Sequence, residues 1–318
     1  MSNRWMDPEF MPLIKTPRPV LNDANLVREA SIASRQPMDY ASFDLEVNDL
    51  SIPFSTKDAR QIPLRIYRPK SIAAPLPALL YLHGGGFFCG DLFSEQWQCA
   101  HYAAQAQCLV ICVDYRLAPE NPYPAALFDS YRVLEFLREQ GAELGLDPAR
   151  IAIGGSSAGA NLAAAVALLA RDRSGPGLCF QMLLIPALDN RLDSVSAREF
   201  TDVPDFATPE ARVMWQWYLG DQDRDISPYA TPVHAADLTH LPPAYVLCAG
   251  LDALRDDGLR YAQRLLEAGV SVELHLVPSL PHGFASISSA ATSKQLLQEQ
   301  VRVLQKAFQF GERNPKNR

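Results

Sequence analysis

The sequence predicts an α/β fold, a mainly parallel sheet buried under helices on both faces. Short apolar runs recur along the chain, mostly without the polar–apolar alternation of a half-exposed strand, as strands covered on both faces require. Segments of helical character separate these runs, and that alternation implies parallel pairing through crossover connections. The chain has 318 residues, 48% hydrophobic and 20% charged, an ordinary globular balance with enough length for a large core.

Residues 1–10, MSNRWMDPEF, read as an expression leader. Asp7-Pro8-Glu9-Phe10 is what adjoining restriction sites can encode, so Met11 is the expected start and the leader is set aside from the fold. Residues 11–42 read as a mostly helical lead-in. Strands are expected at 43–52 and 61–67. From Pro77 a strand–loop–helix pattern repeats, with strands at 78–82, 109–113, 151–153, 181–185, 244–248 and 270–277. Helices are expected at 94–107, 125–140, 158–171, 256–268 and 291–308. Residues 189–240 break the alternation and hold Phe200, Phe206, Trp215, Trp217 and Tyr218. Within them Thr208-Pro209-Glu210 opens a helix, with Thr at the cap and Pro at the first position. This stretch is expected to be an insertion over the sheet edge, dividing the core into residues 43–188 and 241–318.

Charge and composition exclude several classes. The net charge is −7, and no Lys/Arg cluster suggests a nucleic-acid partner. The longest uninterrupted apolar run, 162–170, is far short of the ~20 residues of a membrane span. The N-terminus lacks a basic region followed by an apolar one, so no signal peptide is expected and the reducing cytoplasm is the default location. Of six cysteines, Cys108, Cys112, Cys179 and Cys248 lie in apolar strand-like runs and are expected to pack as small hydrophobes. There is no CxxC pair and no HExxH, so no metal is expected.

Gly155-Ser156-Ser157-Ala158-Gly159 is G-x-S-x-G, placed between a short apolar strand and an Ala/Leu-rich helix. A strand entering a sharp turn that becomes a helix is the setting of a nucleophile elbow. Ser157 would stand at a helix N-terminus, which favours developing negative charge. A phosphate loop is disfavoured because no Lys follows the glycines. Ser156 is a rival only on paper, since the pattern cannot start at Gly154. His83-Gly84-Gly85-Gly86-Phe87 follows another strand. Consecutive glycines weaken regular structure and leave backbone N–H groups free to aim at an oxyanion, together with the N–H of Ala158. His83 is expected to anchor this loop.

In an elbow of this kind the order is Ser, then Asp or Glu, then His. His275 lies within a strand, and His234 and His240 lie in the insertion. His282 lies in the 278–283 loop after the last strand, at the carboxyl edge where catalytic groups gather. Asp252 occupies the same kind of position after the preceding strand. Asp256 and Asp257 are expected instead to act as charges at a helix N-terminus.

HGGGF at 83–87, DYRLAPE at 114–120 with Tyr123-Pro124-Ala125, GSSAGANL at 155–162, LDALRDDG at 251–258 and PHGF at 281–284 resemble the hormone-sensitive-lipase-like branch of the α/β-hydrolases. These are the bacterial esterases often called family IV, and the similarity runs from about residue 40 to the end. The resemblance implies an eight-stranded, mostly parallel α/β-hydrolase sheet with helices on both faces. It also implies a helical cap drawn from residues 11–42 and 189–240. It makes Ser157 the nucleophile, Asp252 the acid and His282 the base. Ala158 and two of Gly84, Gly85 and Gly86 would form the oxyanion hole, with Gly85 and Gly86 the preferred pair. Phe87, Trp215, Leu188 and Phe206 are the expected substrate contacts. No cofactor is implied. The implied partner is a small ester of short to medium chain length, and a homodimer is left open. Two departures stand out: Ser156 replaces the usual Asp or Thr, and Ala160 the usual second Gly. Amide or carbamate hydrolysis would use the same residues, and a non-catalytic receptor on this fold would be expected to have lost His282.

Overall fold

The computed structural model describes residues 6–15, 21–35, 37–220 and 226–311; residues 1–5 of the expected leader lie outside them. Eight strands pair into one sheet: β1 (Leu45–Pro53), β2 (Gln61–Pro69), β3 (Leu76–Leu82), β4 (Leu109–Val113), β5 (Leu146–Ser156), β6 (Phe180–Leu184), β7 (Ala244–Leu251) and β8 (Val272–Pro281). Their order is β1-β2-β4-β3-β5-β6-β7-β8. The β1–β2 and β2–β4 pairs are antiparallel, and all the others are parallel. The helices are α1 (Pro12–Lys15), α2 (Ala24–Ala33), α3 (Gln96–Ala106), α4 (Ala125–Gln140), α5 (Ala158–Asp172), α6 (Val195–Glu199), α7 (Thr208–Leu219), α8 (Arg255–Glu267) and α9 (Ala291–Gly311).

Successive strand side chains point to opposite faces, so each central strand feeds two cores. Leu80, Leu82, Ile111 and Val113 join residues of α4, α5 and α8 in one cluster. Leu79, Tyr81, Val110 and Cys112 join residues of α3 and α9 in the other. This two-sided burial explains why the strands read as continuous apolar runs.

Register positions the site. β3 pairs with β5 up to Leu82↔Gly155, so the glycine loop after β3 emerges beside the turn after β5. β7 and β8 run further than the apolar pattern suggests and pair up to Leu251↔Pro281. Asp252 and His282, each the next residue after its strand, therefore leave the sheet side by side. His282 opens a 3-10 turn directly after β8, not within a longer loop, because the paired backbone continues through Pro281.

Two local expectations are corrected. The N-cap of α7 is Ala207, whose N–H donates to the Glu210 carboxylate at 3.1 Å. Thr208 is already helical, and its hydroxyl donates to the Ala197 carbonyl at 2.5 Å. The second correction concerns residues 7–10, set aside above as leader. Phe10 is fully buried in the α3/α9 cluster. The Glu9 carboxylate accepts from the Ala291 N–H (2.8 Å) and the Thr292 N–H (3.3 Å), at the positive end of the α9 dipole. These residues act as part of the fold whatever their origin. Phe10→Ala is expected to lower stability by about 3 kcal/mol in urea unfolding, the usual cost of emptying a buried aromatic site. A loss below about 1 kcal/mol would mean that the segment is not docked in solution.

Candidate active site

Ser157 is the residue between β5 and α5, with φ 55° and ψ −114°. A non-glycine residue in that region is strained, and here the turn is held by hydrogen bonds on both sides. The Ser157 N–H donates to the Leu184 carbonyl at 2.8 Å, and the Ala187 N–H donates to the Ser157 carbonyl at 3.3 Å. The close approach of β3 explains the flanking glycines. A Cβ on Gly159 would lie 1.9 Å from the Leu82 carbonyl oxygen, and one on Gly155 would lie 2.4 Å from the same atom.

The structure brings Ser157, His282 and Asp252 together. His282 Nε2 lies 2.9 Å from Ser157 Oγ, and His282 Nδ1 lies 2.7 Å from Asp252 Oδ2. Asp252 Oδ1 accepts from the Leu254 N–H at 2.9 Å, so both carboxylate oxygens are engaged and the acid is fixed in rotation. All three side chains are buried. Burial opposes a charge on His282, but Asp252, by its charge and hydrogen bond, and Asp205, by its charge, outweigh it and raise the imidazole pKa. This arrangement can pass a proton from a serine hydroxyl to an imidazole whose tautomer is set by a carboxylate.

The glycine loop lies along the same cavity. The space is about 570 Å³ and is lined in part by Gly84, Gly85, Gly86, Ser157 and His282. Gly85 has φ 113° and Gly86 φ 61°, conformations that a side chain would oppose. The Gly84 N–H is directed to Glu95 Oε1 at 3.3 Å, which removes it from the set of oxyanion donors expected above. Gly85, Gly86 and Ala158 are left. His83 is held under the loop as expected: its ring stacks on Tyr115 at 4.2 Å, and its Nδ1 lies 2.7 Å from the Gly84 carbonyl. Burial holds the His83 pKa down to about 4, so the ring is neutral near pH 7. Tyr115 and Ala118, both in the DYRLAPE stretch, serve as its supports. The Tyr115 hydroxyl donates to the His83 carbonyl (2.7 Å), and the Ala118 N–H donates to the Phe87 carbonyl (2.9 Å).

Other expected residues are placed elsewhere. Phe206 lines the cavity and its ring lies 4.9 Å from that of His282. Phe87, Trp215 and Leu188 do not line it. Phe87 stacks on Tyr218 at 3.6 Å and abuts Trp215, so these rings pin α7 onto the glycine loop, and Leu188 is fully buried beneath. Phe88, one residue on, faces the cavity instead. Asp256 and Asp257 do lie in the first turn of α8, but their carboxylates reach away from it. Asp257 accepts from the Leu188 and Asp189 N–H groups, both at 3.1 Å, and Asp256 accepts from the Ser196 N–H at 2.8 Å. They fasten the chain after β6 to α8. His234 bonds Asp189 (2.9 Å), and His275 pairs with Glu299 (2.8 Å).

Two cavity residues carried no sequence signal. Glu95 caps α3 in sequence but turns its carboxylate to the Tyr81 hydroxyl, the Gly84 N–H and the Ser156 hydroxyl; burial raises its pKa, and those three groups, Tyr81 most, partly offset the rise. Asp205 is the other. Ser156, the departure noted above, is thus tied to Glu95 behind the glycine loop.

A family profile described as alpha/beta hydrolase fold matches residues 79–286. Esterase LipI of Mycobacterium tuberculosis is 42% identical over 257 residues, covering 78% of this chain and 79% of that protein. Carboxylesterase NlhH of the same species is 43% identical over 230 residues, covering 71% and 72%. Among solved structures, bacterial heroin esterase superposes with a TM-score of 0.91 at 39% identity, covering 95% of this chain and 98% of that one. With the fold, the matched profile and these relatives in agreement, the chain belongs to the hormone-sensitive-lipase-like esterases of the α/β-hydrolase superfamily.

Proposed function

We propose that this protein is a serine carboxylesterase that hydrolyses short- to medium-chain carboxylic esters through an acyl-serine intermediate. The contact that carries the reading is the buried Ser157–His282–Asp252 chain, open to a cavity on the serine side. His282 Nε2 accepts the Ser157 proton as Oγ attacks the ester carbonyl. The oxyanion is held by the N–H groups of Gly85, Gly86 and Ala158, each such donor being worth about 3–4 kcal/mol in this kind of chemistry. The imidazolium then returns its proton to the leaving alcohol, and water repeats the sequence on the acyl-enzyme. Among the described residues no helix is long and apolar enough to cross a membrane. The six thiols are free, which suits the expected cytoplasmic location.

Phe206 and the α2 residues Val27 and Ser31 line the cavity, and we read their two segments as the cap. A cap over this cavity would limit the acyl range. Across p-nitrophenyl esters, kcat/KM is expected to peak at or below octanoate and to fall towards palmitate, with a burst of p-nitrophenol when deacylation is slower than acylation. A steady rise from butyrate to palmitate would overturn the chain-length assignment. The pH profile follows from His282. The ring must be neutral to act as base, and its raised pKa places the loss of activity on acidification above the ordinary histidine value of about 6.5. Activity should therefore fall as pH drops through that raised value. A rate that stays flat from neutral to mildly acidic pH would rule out a histidine base.

A further inference from the structure

Asp205 reaches the cavity from the 189–240 segment at the central position of a tight turn. Its φ is 69°, and the following Phe206 N–H donates back to the Pro204 carbonyl at 2.9 Å. The turn lays the carboxylate on Gly283, where a Cβ would lie 2.2 Å from Asp205 Oδ2, next to His282. Among the described residues no hydrogen-bond donor, arginine or lysine pairs with this carboxylate; burial raises its pKa, and the charge of the neighbouring His282 ring, when protonated, partly offsets the rise. The other charged groups of the cavity are engaged: Arg35 is ion-paired with Asp91, and Glu95 is bonded beneath Gly84. The Phe206 ring stands beside Asp205 on the same wall, with Phe88 and Trp97 also on the lining.

A carboxylate without a hydrogen-bond donor, beside aromatic rings in a partly desolvated cavity, is the chemistry that recognises an ammonium group. Resting on the esterase reading above, we infer that Asp205 is a specificity residue selecting esters that carry a substituted ammonium group close to the scissile carbonyl. The cation would lie against Asp205 and Phe206 while the carbonyl sits at Ser157. The chain's net charge of −7 would favour the approach of such a substrate.

The test compares butyrylcholine with 3,3-dimethylbutyl butyrate, which has the same shape without the charge, by base consumption at constant pH. The readout is the ratio of kcat/KM for the two esters within each variant, so a loss common to both cancels. Wild type is expected to favour the cationic ester at least about tenfold, and Asp205→Asn to bring the ratio close to one. Calorimetric titration with benzyltrimethylammonium needs no turnover and separates this inference from the hydrolase reading. Binding should weaken about tenfold in Asp205→Asn. A ratio near one in wild type, a preference unchanged in Asp205→Asn, or equal ammonium binding by both proteins would overturn the inference.

Discussion

Replacing Ser157 with alanine is expected to lower kcat/KM for p-nitrophenyl butyrate by a factor of about 10⁴ or more, with little change in the unfolding midpoint. The chemistry accounts for the size. Without Oγ no acyl-enzyme forms, and what survives is the catalysis that oxyanion donors and binding give to a bound water. The structure accounts for the stability. Alanine shares the strained φ of 55° with serine, keeps the backbone bond to Leu184, and removes only a hydroxyl that faces His282 and the cavity. Activity of the folded variant near the wild-type level would mean that Ser157 is not the nucleophile. Absence of activity in wild type on every ester tried would turn attention to the receptor alternative.

The second large effect is Asp252→Asn, for which a fall in kcat of about 10³–10⁴ is expected. The amide oxygen can still accept from Leu254, since Oδ1 holds that bond in the wild type. The amide nitrogen then faces His282 Nδ1, where the carboxylate oxygen had been at 2.7 Å. As a donor it favours the tautomer with the proton on Nε2, facing Ser157, where a base must be unprotonated. Removal of the negative charge also takes away the main influence that raises the His282 pKa, so residual activity should persist to lower pH than in wild type. A variant with wild-type kcat and an unmoved acid limb would remove Asp252 from the mechanism.

Much of this candidate site was legible in the sequence because the residues proposed to do the chemistry sit next to local signals. Ser157 lies between two glycines at a strand–helix junction, and Asp252 and His282 each follow an apolar run. What failed was mostly a matter of side-chain direction. Phe87 and Phe88 are adjacent and both aromatic; only the backbone path through Gly85 and Gly86 turns the first onto Tyr218 and the second into the cavity. Trp215 and Leu188 were expected at the substrate and are buried in the core, since an aromatic or apolar residue in a helix or loop gives no indication of whether its neighbour will be protein or ligand. Residues 7–10 looked dispensable as a local string, yet they dock through contacts with residues almost the whole chain away.

The sequence by itself determined the sheet and the order of its strands in the chain, and it singled out Ser157, Asp252 and His282 as the proposed triad, because periodicity, glycine spacing and chain order can be read without coordinates. The tertiary structure decided the rest. Pairing of Leu251 with Pro281 aligns the ends of β7 and β8, and pairing of Leu82 with Gly155 aligns those of β3 and β5. Packing of the segments outside the sheet makes a neighbour of Gly84 out of Glu95 and of Gly283 out of Asp205. The reason is physical: a hydrogen bond or an ion pair depends on ångström-scale separation, and distance between residues far apart in sequence is set by the packing of the whole sheet.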